Sequence, residues 1–317
     1  MEAPQCILIL DFGGQYTQLI ARRVRERGVY SCVLPCSAQL ADIRAVQPMG
    51  IIFSGGPASV LDEGAPRVDE GVFELGVPVL GICYGMQLMA HLLGAPVERG
   101  TRREYGRTDV TMDRVDGGLL AGLRPQSPCW MSHTYQVTCP PEGFVAIAHT
   151  ADCPVAAMAD DAHRLYGVQF HPEVTHTEEG ARVLENFLFG ICGCKGDWSM
   201  AAYADMAVEQ IREQVGDGTV LLGLSGGVDS AVAAALLYRA IGNRLTCVYV
   251  DHGFMRAGES DQVVDVFTRV FPVGLVHVDA SERFFRDLKG VTDPEAKRKI
   301  IGRDFVEGFR GEAQKLG

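Results

Sequence analysis

A cysteine, a histidine and a glutamate stand in this sequence where they could act together on a carbonyl. Cys83 lies in Gly81-Ile82-Cys83-Tyr84-Gly85, with an apolar run over 77–82 before it and a helix-forming run over 86–93 after it. Small residues two before and two after a nucleophile let a strand turn sharply into a helix. The N-terminus of that helix favours a thiolate. His171 and Glu173 sit in Phe170-His171-Pro172-Glu173, directly after an apolar run over 165–170. A histidine there can serve such a nucleophile as base and acid, and Glu173 can accept from the imidazole and fix its tautomer. Ser54-Gly55-Gly56-Pro57 closes another apolar run. Its glycine N–H groups, with that of Tyr84, are therefore the expected donors to a tetrahedral oxyanion. Acyl transfer by a cysteine nucleophile is the chemistry these residues suit.

A second cluster suits a different ligand. Leu224-Ser225-Gly226-Gly227-Val228-Asp229-Ser230 follows an apolar run over 219–223 and precedes an Ala/Leu-rich helical run over 231–241. Backbone N–H groups of such a turn and the positive end of the helix dipole converge on one point, which suits a phosphate or pyrophosphate. The string lacks the Gly-Lys-Ser/Thr ending of a Walker A loop, so a conventional NTPase is excluded.

The elements that position these residues follow from alternation of apolar runs with amphipathic stretches. Runs over 6–11, 50–54, 77–82 and 165–170 read as strands, with helices over 16–27, 86–93 and 178–191 and shorter strands and turns between 105 and 170. This pattern predicts an α/β fold with an open, mostly parallel sheet. The glycines and cysteines of 190–197 mark a boundary. A helix over 200–214 and strands over 219–224, 245–251 and 273–278 then predict a second parallel α/β unit. The expected domains are 6–197 and 198–317.

Composition narrows the class. A net charge of −11 argues against nucleic acid or an anionic membrane as partner, since both need a basic face. No run approaches the length of a membrane span, and the apolar run at 6–10 is too short for a secretory signal. The pairs Cys32/Cys36 and Cys192/Cys194 lack the second pair that a structural metal site needs. Reduced thiols in the cytoplasm are the expectation.

The strings GICYGMQ, SGGP and QFHPEVTHT together resemble the class I glutamine amidotransferases. The resemblance implies that Cys83 attacks the side-chain amide of glutamine and releases ammonia, with His171 as base and acid and Glu173 as its orienter. It implies further that Gly56 and Tyr84 bind the oxyanion and that Gln87 holds the substrate. Ser132-His133-Thr134-Tyr135-Gln136 stands where many members carry Ser-His-Gly-Asp, in a segment whose backbone lines the glutamine pocket.

LSGGVDS resembles the pyrophosphate loop of the N-type ATP pyrophosphatases, which split ATP between its α and β phosphates. That likeness implies ATP contacts from Ser225, Gly226, Gly227, Val228, Asp229 and Ser230, and from Val250 at the end of the next strand. It also implies Mg²⁺ placed by Asp229, and no tightly bound organic cofactor. The two units in this order resemble the glutamine-hydrolysing GMP synthases, ligases of purine nucleotide biosynthesis. Members adenylate xanthosine monophosphate (XMP) and displace AMP with ammonia to give GMP. Arg298, in Lys297-Arg298-Lys299, is the candidate contact to the XMP phosphate. Members continue into a C-terminal dimerisation domain, so the expectation is a C-terminally incomplete chain, monomeric where full-length members are homodimers. The alternative readings are an inactive nucleotide-sensing module and a stand-alone glutaminase subunit.

Overall fold

Every residue of the first strand but the last is buried, which a sheet covered on both faces requires. In the computed structural model, which describes residues 5–269 and 273–316, the chain forms two compact units, Met1–Ser199 and Met200–Gly317. The end of the second expected domain, at 317, lies outside the described residues.

The first unit runs β1 (Cys6–Asp11), α1 (Thr17–Arg25), β2 (Tyr30–Pro35), α2 (Leu40–Val46), β3 (Gly50–Phe53), β4 (Val79–Ile82) and α3 (Tyr84–Leu92). It continues through β5 (Val97–Met112), β6 (Gln126–Val137), β7 (Val145–His149), β8 (Ala157–Asp160), β9 (Leu165–Val168) and α4 (Gly180–Glu185). Nine strands form one sheet in the order β2-β1-β3-β4-β9-β8-β7-β5-β6. The five from β2 to β9 pair in parallel, and the rest pair antiparallel. Side chains alternate across it. Ile7, Ile9, Ile52 and Leu80 pack with Ile20 and Val24 of α1 on one face. Leu8, Leu10, Ile51 and Val79 pack with Ile43 of α2 and Met86 of α3 on the other.

Three features differ from the sequence expectation. Between 105 and 170 the strands are not all short, because β5 and β6 form a long antiparallel ribbon of 16 and 12 residues. Most of β6 alternates buried with half-buried positions, a pattern that reads less plainly as strand than an unbroken apolar run. The helix expected over 178–191 is α4 followed by a π-helical turn at Asn186–Ile191. The Asn186 amide tethers the start of that turn, donating to the carbonyls of Leu119 and Ala121, both at 2.9 Å. Finally, α3 starts at Tyr84, directly after the cysteine.

The second unit runs α5 (Met200–Val215), β10 (Val220–Leu224), α6 (Val228–Ile241), β11 (Leu245–Asp251), α7 (Glu259–Arg269), β12 (Gly274–Asp279), α8 (Ser281–Asp287) and α9 (Pro294–Leu316). Its three strands are parallel, in the order β10-β11-β12. Cys247 and Tyr249 of β11 face a core with Val208, Ala234 and Phe267, while Val248 and Val250 face Phe284, Ile301 and Phe305. All ten cysteines are free thiols. Among the described residues no helix is long and apolar enough to cross a membrane.

Candidate active site

The strand β4 and its parallel neighbour β9 end side by side, with Ile82 paired to Val168. Each chain continues past that pair into a residue with reactive chemistry. Cys83 is the cap of α3, with φ 53° and ψ −106°, a backbone region that residues with a Cβ rarely adopt. The turn is held on both sides. The Cys83 N–H donates to the Val168 carbonyl at 2.8 Å, and the Cys83 carbonyl accepts from the Gln87 N–H at 3.1 Å. Glycine is required at both flanks. A Cβ on Gly81 would lie 2.6 Å from the Met86 nitrogen, and one on Gly85 would lie 2.5 Å from the Phe53 carbonyl oxygen.

His171 faces this elbow from the segment after β9. Its N–H donates to the Trp130 carbonyl at 3.0 Å, and its carbonyl accepts from the Thr177 hydroxyl at 2.6 Å. On one side the ring and Cys83 both flank Gly55, where a Cβ would lie 3.1 Å from the imidazole Cε1 and 3.8 Å from the Cys83 Cβ. On the other, Nδ1 lies 2.7 Å from Oε1 of Glu173. Tyr16 packs edge-on against the imidazole, 5.3 Å between centroids. Cys83, His171 and Glu173 are all buried, Glu173 to 1% exposure, and its Oε2 has no hydrogen-bond partner among the described residues. Burial by itself pushes the His171 pKa down. The hydrogen bonds and charges of Cys83 and Glu173 outweigh burial and hold it up at about 10. The ring therefore carries its proton at neutral pH.

A cavity of about 580 Å³ opens onto Cys83 and His171, with Gly56, Tyr84 and Gln87 in its wall. The Tyr84 N–H is at the first position of α3 and has no intrahelical acceptor. Gly56 is confined, since a Cβ there would lie 2.8 Å from the Phe12 carbonyl oxygen. Ser54 braces this corner, accepting from the Phe12 N–H at 3.0 Å and donating to the Gly55 carbonyl at 2.9 Å. Both Gln87 contacts are made by Nε2, which donates to the Tyr135 carbonyl at 2.6 Å and to Oε1 of Gln169 at 3.0 Å. Only its Oε1 is left to meet a ligand.

Two groups behind this wall were given no role by the sequence reading. Gln169 donates to the Cys83 sulfur at 3.5 Å. Its signal was available, because residues two apart in an extended segment share a face and His171 is two residues on. The second is Glu104 with His133, whose Nε2 lies 2.9 Å from Oε2 of the carboxylate. These two are direct cross-strand partners on β5 and β6, beside a register shift. Only the fold brings them together. Cys153 completes a trio with metal-ligand atoms within 4.8 Å of one another, the one such group among the described residues. Its thiol is pushed up to about 12 by burial and then by the Glu104 charge, whereas a thiol ligand must ionise. Glu104 is already engaged on both oxygens, by His133 and by the Thr150 hydroxyl at 2.8 Å. The trio is a hydrogen-bonded carboxylate and imidazole beside a thiol, not a metal centre.

In the second unit the string 224–230 joins β10 to α6. Gly226 has φ 76°, and Gly227 caps α6 with Val228, Asp229 and Ser230 in its first turn. The hydroxyls of Ser225 and Ser230 lie 3.1 Å apart, and Oγ of Ser225 accepts from the Gly227 N–H at 3.2 Å. Ser225 and Val250 both line a second cavity of about 370 Å³, with Tyr249, His252, Ile301 and Phe305. Asp229 is exposed at the loop, and a lone carboxylate beside phosphates is a common arrangement for Mg²⁺. Arg298 is on α9, exposed and ion-paired with Glu295, and is not among the residues of that cavity.

A mixed sheet with a cysteine elbow at one parallel strand end and a buried His–Glu pair beyond the next defines an α/β protein of the glutamine amidotransferase class. The chain belongs to the class-I glutamine amidotransferase family, whose model matches residues 8–191. The model for NAD synthase matches residues 200–267. The chain is similar to the glutamine-hydrolyzing GMP synthases of Acetivibrio thermocellus, at 56% identity over 313 residues, and of Symbiobacterium thermophilum, at 56% over 311. The matches cover 99% and 98% of this chain and 61% of each relative, so the chain spans about three fifths of their length. A solved structure from Thermoplasma acidophilum, described as a GMP synthase subunit, is similar at 29% identity and a TM-score of 0.55. That match covers 65% of this chain and 98% of the other.

Proposed function

We propose that this chain supplies ammonia by glutamine hydrolysis for the ATP-dependent amination of XMP to GMP. The observation that carries the reading is Cys83, on a strained elbow at the floor of a cavity, beside a buried His171–Glu173 pair. The Cys83 thiolate attacks the side-chain amide carbon of glutamine. The N–H groups of Gly56 and Tyr84 hold the resulting oxyanion. Nδ1 of His171 is bound to Glu173, so Nε2 is the atom that delivers a proton to the departing nitrogen. Ammonia leaves and the glutamyl thioester remains. The neutral imidazole then takes a proton from water, which attacks the thioester. Glutamate departs and the thiolate is restored.

In the second unit the Ser225–Ser230 loop grips the β and γ phosphates of ATP, with Mg²⁺ at Asp229. Adenylation of an XMP oxygen releases pyrophosphate, and ammonia displaces AMP. Generating ammonia in the same chain that activates the electrophile raises its local concentration, which matters because free ammonia is mostly protonated at neutral pH. The cytoplasm, where thiols stay reduced, suits ten free cysteines. A second reading, glutamine hydrolysis alone with the ammonia used elsewhere, is favoured by one observation. Arg298 is exposed and tied to Glu295, away from the second cavity.

GMP formation measured with glutamine and with ammonium salt, for the wild type and for Cys83→Ala, separates the two. The proposed synthase loses only its glutamine-dependent activity in the variant. Glutamate release from the wild type without GMP from either nitrogen source supports the glutaminase reading instead.

A further inference from the structure

We propose that Gln169 is a further catalytic residue of this site, its amide N–H donating to the Cys83 sulfur and stabilising the thiolate. This rests on the reading of Cys83 as the amidotransferase nucleophile. The Gln169 side chain is fully buried, with Nε2 3.5 Å from Sγ.

Its orientation is not free, because a chain of hydrogen bonds fixes it from the far end. The Tyr135 carbonyl can only accept, so the Gln87 group that approaches it at 2.6 Å is the amide nitrogen. That same nitrogen lies 3.0 Å from Gln169, which must therefore present its oxygen there and turn its NH₂ toward the sulfur. The Tyr135 carbonyl also accepts from Nδ1 of His133 at 3.1 Å. Nε2 of His133 in turn faces Glu104, whose other oxygen accepts from the Thr150 hydroxyl. Glu104, His133 and Gln87 act through their neighbours and are positioning residues. Gln169 alone among them touches the reacting atom.

The surroundings of the sulfur explain why a neutral donor belongs there. The Ser132 carbonyl, 3.7 Å from Sγ, can accept a thiol proton but offers nothing to a thiolate. His171 holds a proton beside the sulfur, yet it must surrender that proton to the leaving nitrogen during the reaction. The amide of Gln169 holds the negative sulfur without carrying a charge and without entering the proton transfer. A donor of this kind favours the thiolate each time it re-forms.

The test is the pH dependence of Cys83 alkylation by iodoacetamide without glutamine, followed on the Cys83 peptide by mass spectrometry because the chain has ten cysteines. Two variants are used. Gln169→Met fills the space with no donor. Gln169→Asn keeps an amide, so the polar pocket stays satisfied, but is one methylene too short to reach the sulfur. Both should move the alkylation midpoint up by about one pH unit, the size expected for one hydrogen bond to a charged group. Glutamate release at neutral pH should fall about tenfold in parallel. Unfolding curves establish that each variant is folded, and either one suffices. A wild-type midpoint in a folded variant, with only KM for glutamine raised, would overturn the proposal and leave Gln169 as a brace for Gln87. If glutamine fails to protect wild-type Cys83 from alkylation, the amidotransferase reading falls and takes this inference with it. The two failures are therefore distinct.

Discussion

Glu173→Gln tests whether the charge of the carboxylate, and not only its shape, sets the state of His171. The glutamine is nearly isosteric and can still accept from Nδ1 at the 2.7 Å contact. What it removes is a negative charge, fully buried, whose Oε2 has no other partner among the described residues. A hydrogen bond to a charged partner contributes about 1.5–3 kcal/mol. At about 1.4 kcal/mol per pKa unit, its loss should bring His171 down from about 10 by roughly one to two units. The His171 pKa is raised on folding, so its imidazolium contributes stability that is fully present below the ordinary histidine value and lost as pH rises through about 10. Two measurements follow. The alkaline limb of glutamate release should move down by one to two pH units, so that kcat/KM falls chiefly between about pH 8 and pH 10. The stability gap between wild type and variant should be widest near or below pH 6.5 and close as pH approaches about 10. An unchanged alkaline limb with kcat/KM within threefold of wild type would refute the argument, since the carboxylate would then be acting by shape alone.

The elbow gives two further tests. Gly85→Ala puts a Cβ 2.5 Å from the Phe53 carbonyl oxygen, and backbone in the middle of a sheet cannot retreat. Denaturant unfolding should report a loss of about 1–3 kcal/mol. Gly190→Ala, where a Cβ meets nothing within 4 Å, should cost nothing, and equal losses at both sites would contradict the packing account. At Cys83, with φ 53°, glycine should be about 1 kcal/mol more stable than alanine, the reverse of the usual order next to a helix. Calorimetry on Cys83→Gly and Cys83→Ala measures this, and alanine coming out the more stable would mean that the elbow is unstrained.

The parallel half of the sheet was legible because β1, β3, β4 and β9 are short apolar runs, each followed within three residues by a glycine or by a residue able to do chemistry. The ribbon of β5 and β6 was not. Its residues alternate or are polar, and its register, which sets Glu104 opposite His133, depends on a bulge between Arg99 and Glu104. Local strings carried the candidates Cys83, His171 and Glu173, since elbow and His-x-Glu are spacings along the chain. The contacts that brace them run over long separations, 86 residues from Gln169 to Cys83 and 48 from Gln87 to Tyr135. Which amide faces a sulfur is decided by tertiary structure, and no periodicity in one strand encodes it. Arg298 shows the opposite failure. A basic run draws the eye, yet a neighbouring acid one turn away gives that charge an ordinary surface partner.

The two sites are built on opposite principles, and the difference follows from what each must hold. At the Cys83 site the charge of Glu173 belongs to the protein itself, so the strained φ and the buried carboxylate are sustained by packing, and the hydrogen bonds are in place before any ligand arrives. At the 224–230 loop the charge would come with the ligand. Ser225 and Ser230 there bond to each other and to the Gly227 N–H and carbonyl, all at the exposed end of α6. A phosphate arriving at this loop exchanges those bonds for its own, so each exchanged bond contributes little net. The remaining gain must come from the helix dipole, from charge on the bound N–H groups, and from the apolar wall around Val250 and Phe305. In the proposed synthase, specificity for a nucleotide over free pyrophosphate would therefore reside in that wall, while the loop would supply a grip any polyphosphate could use.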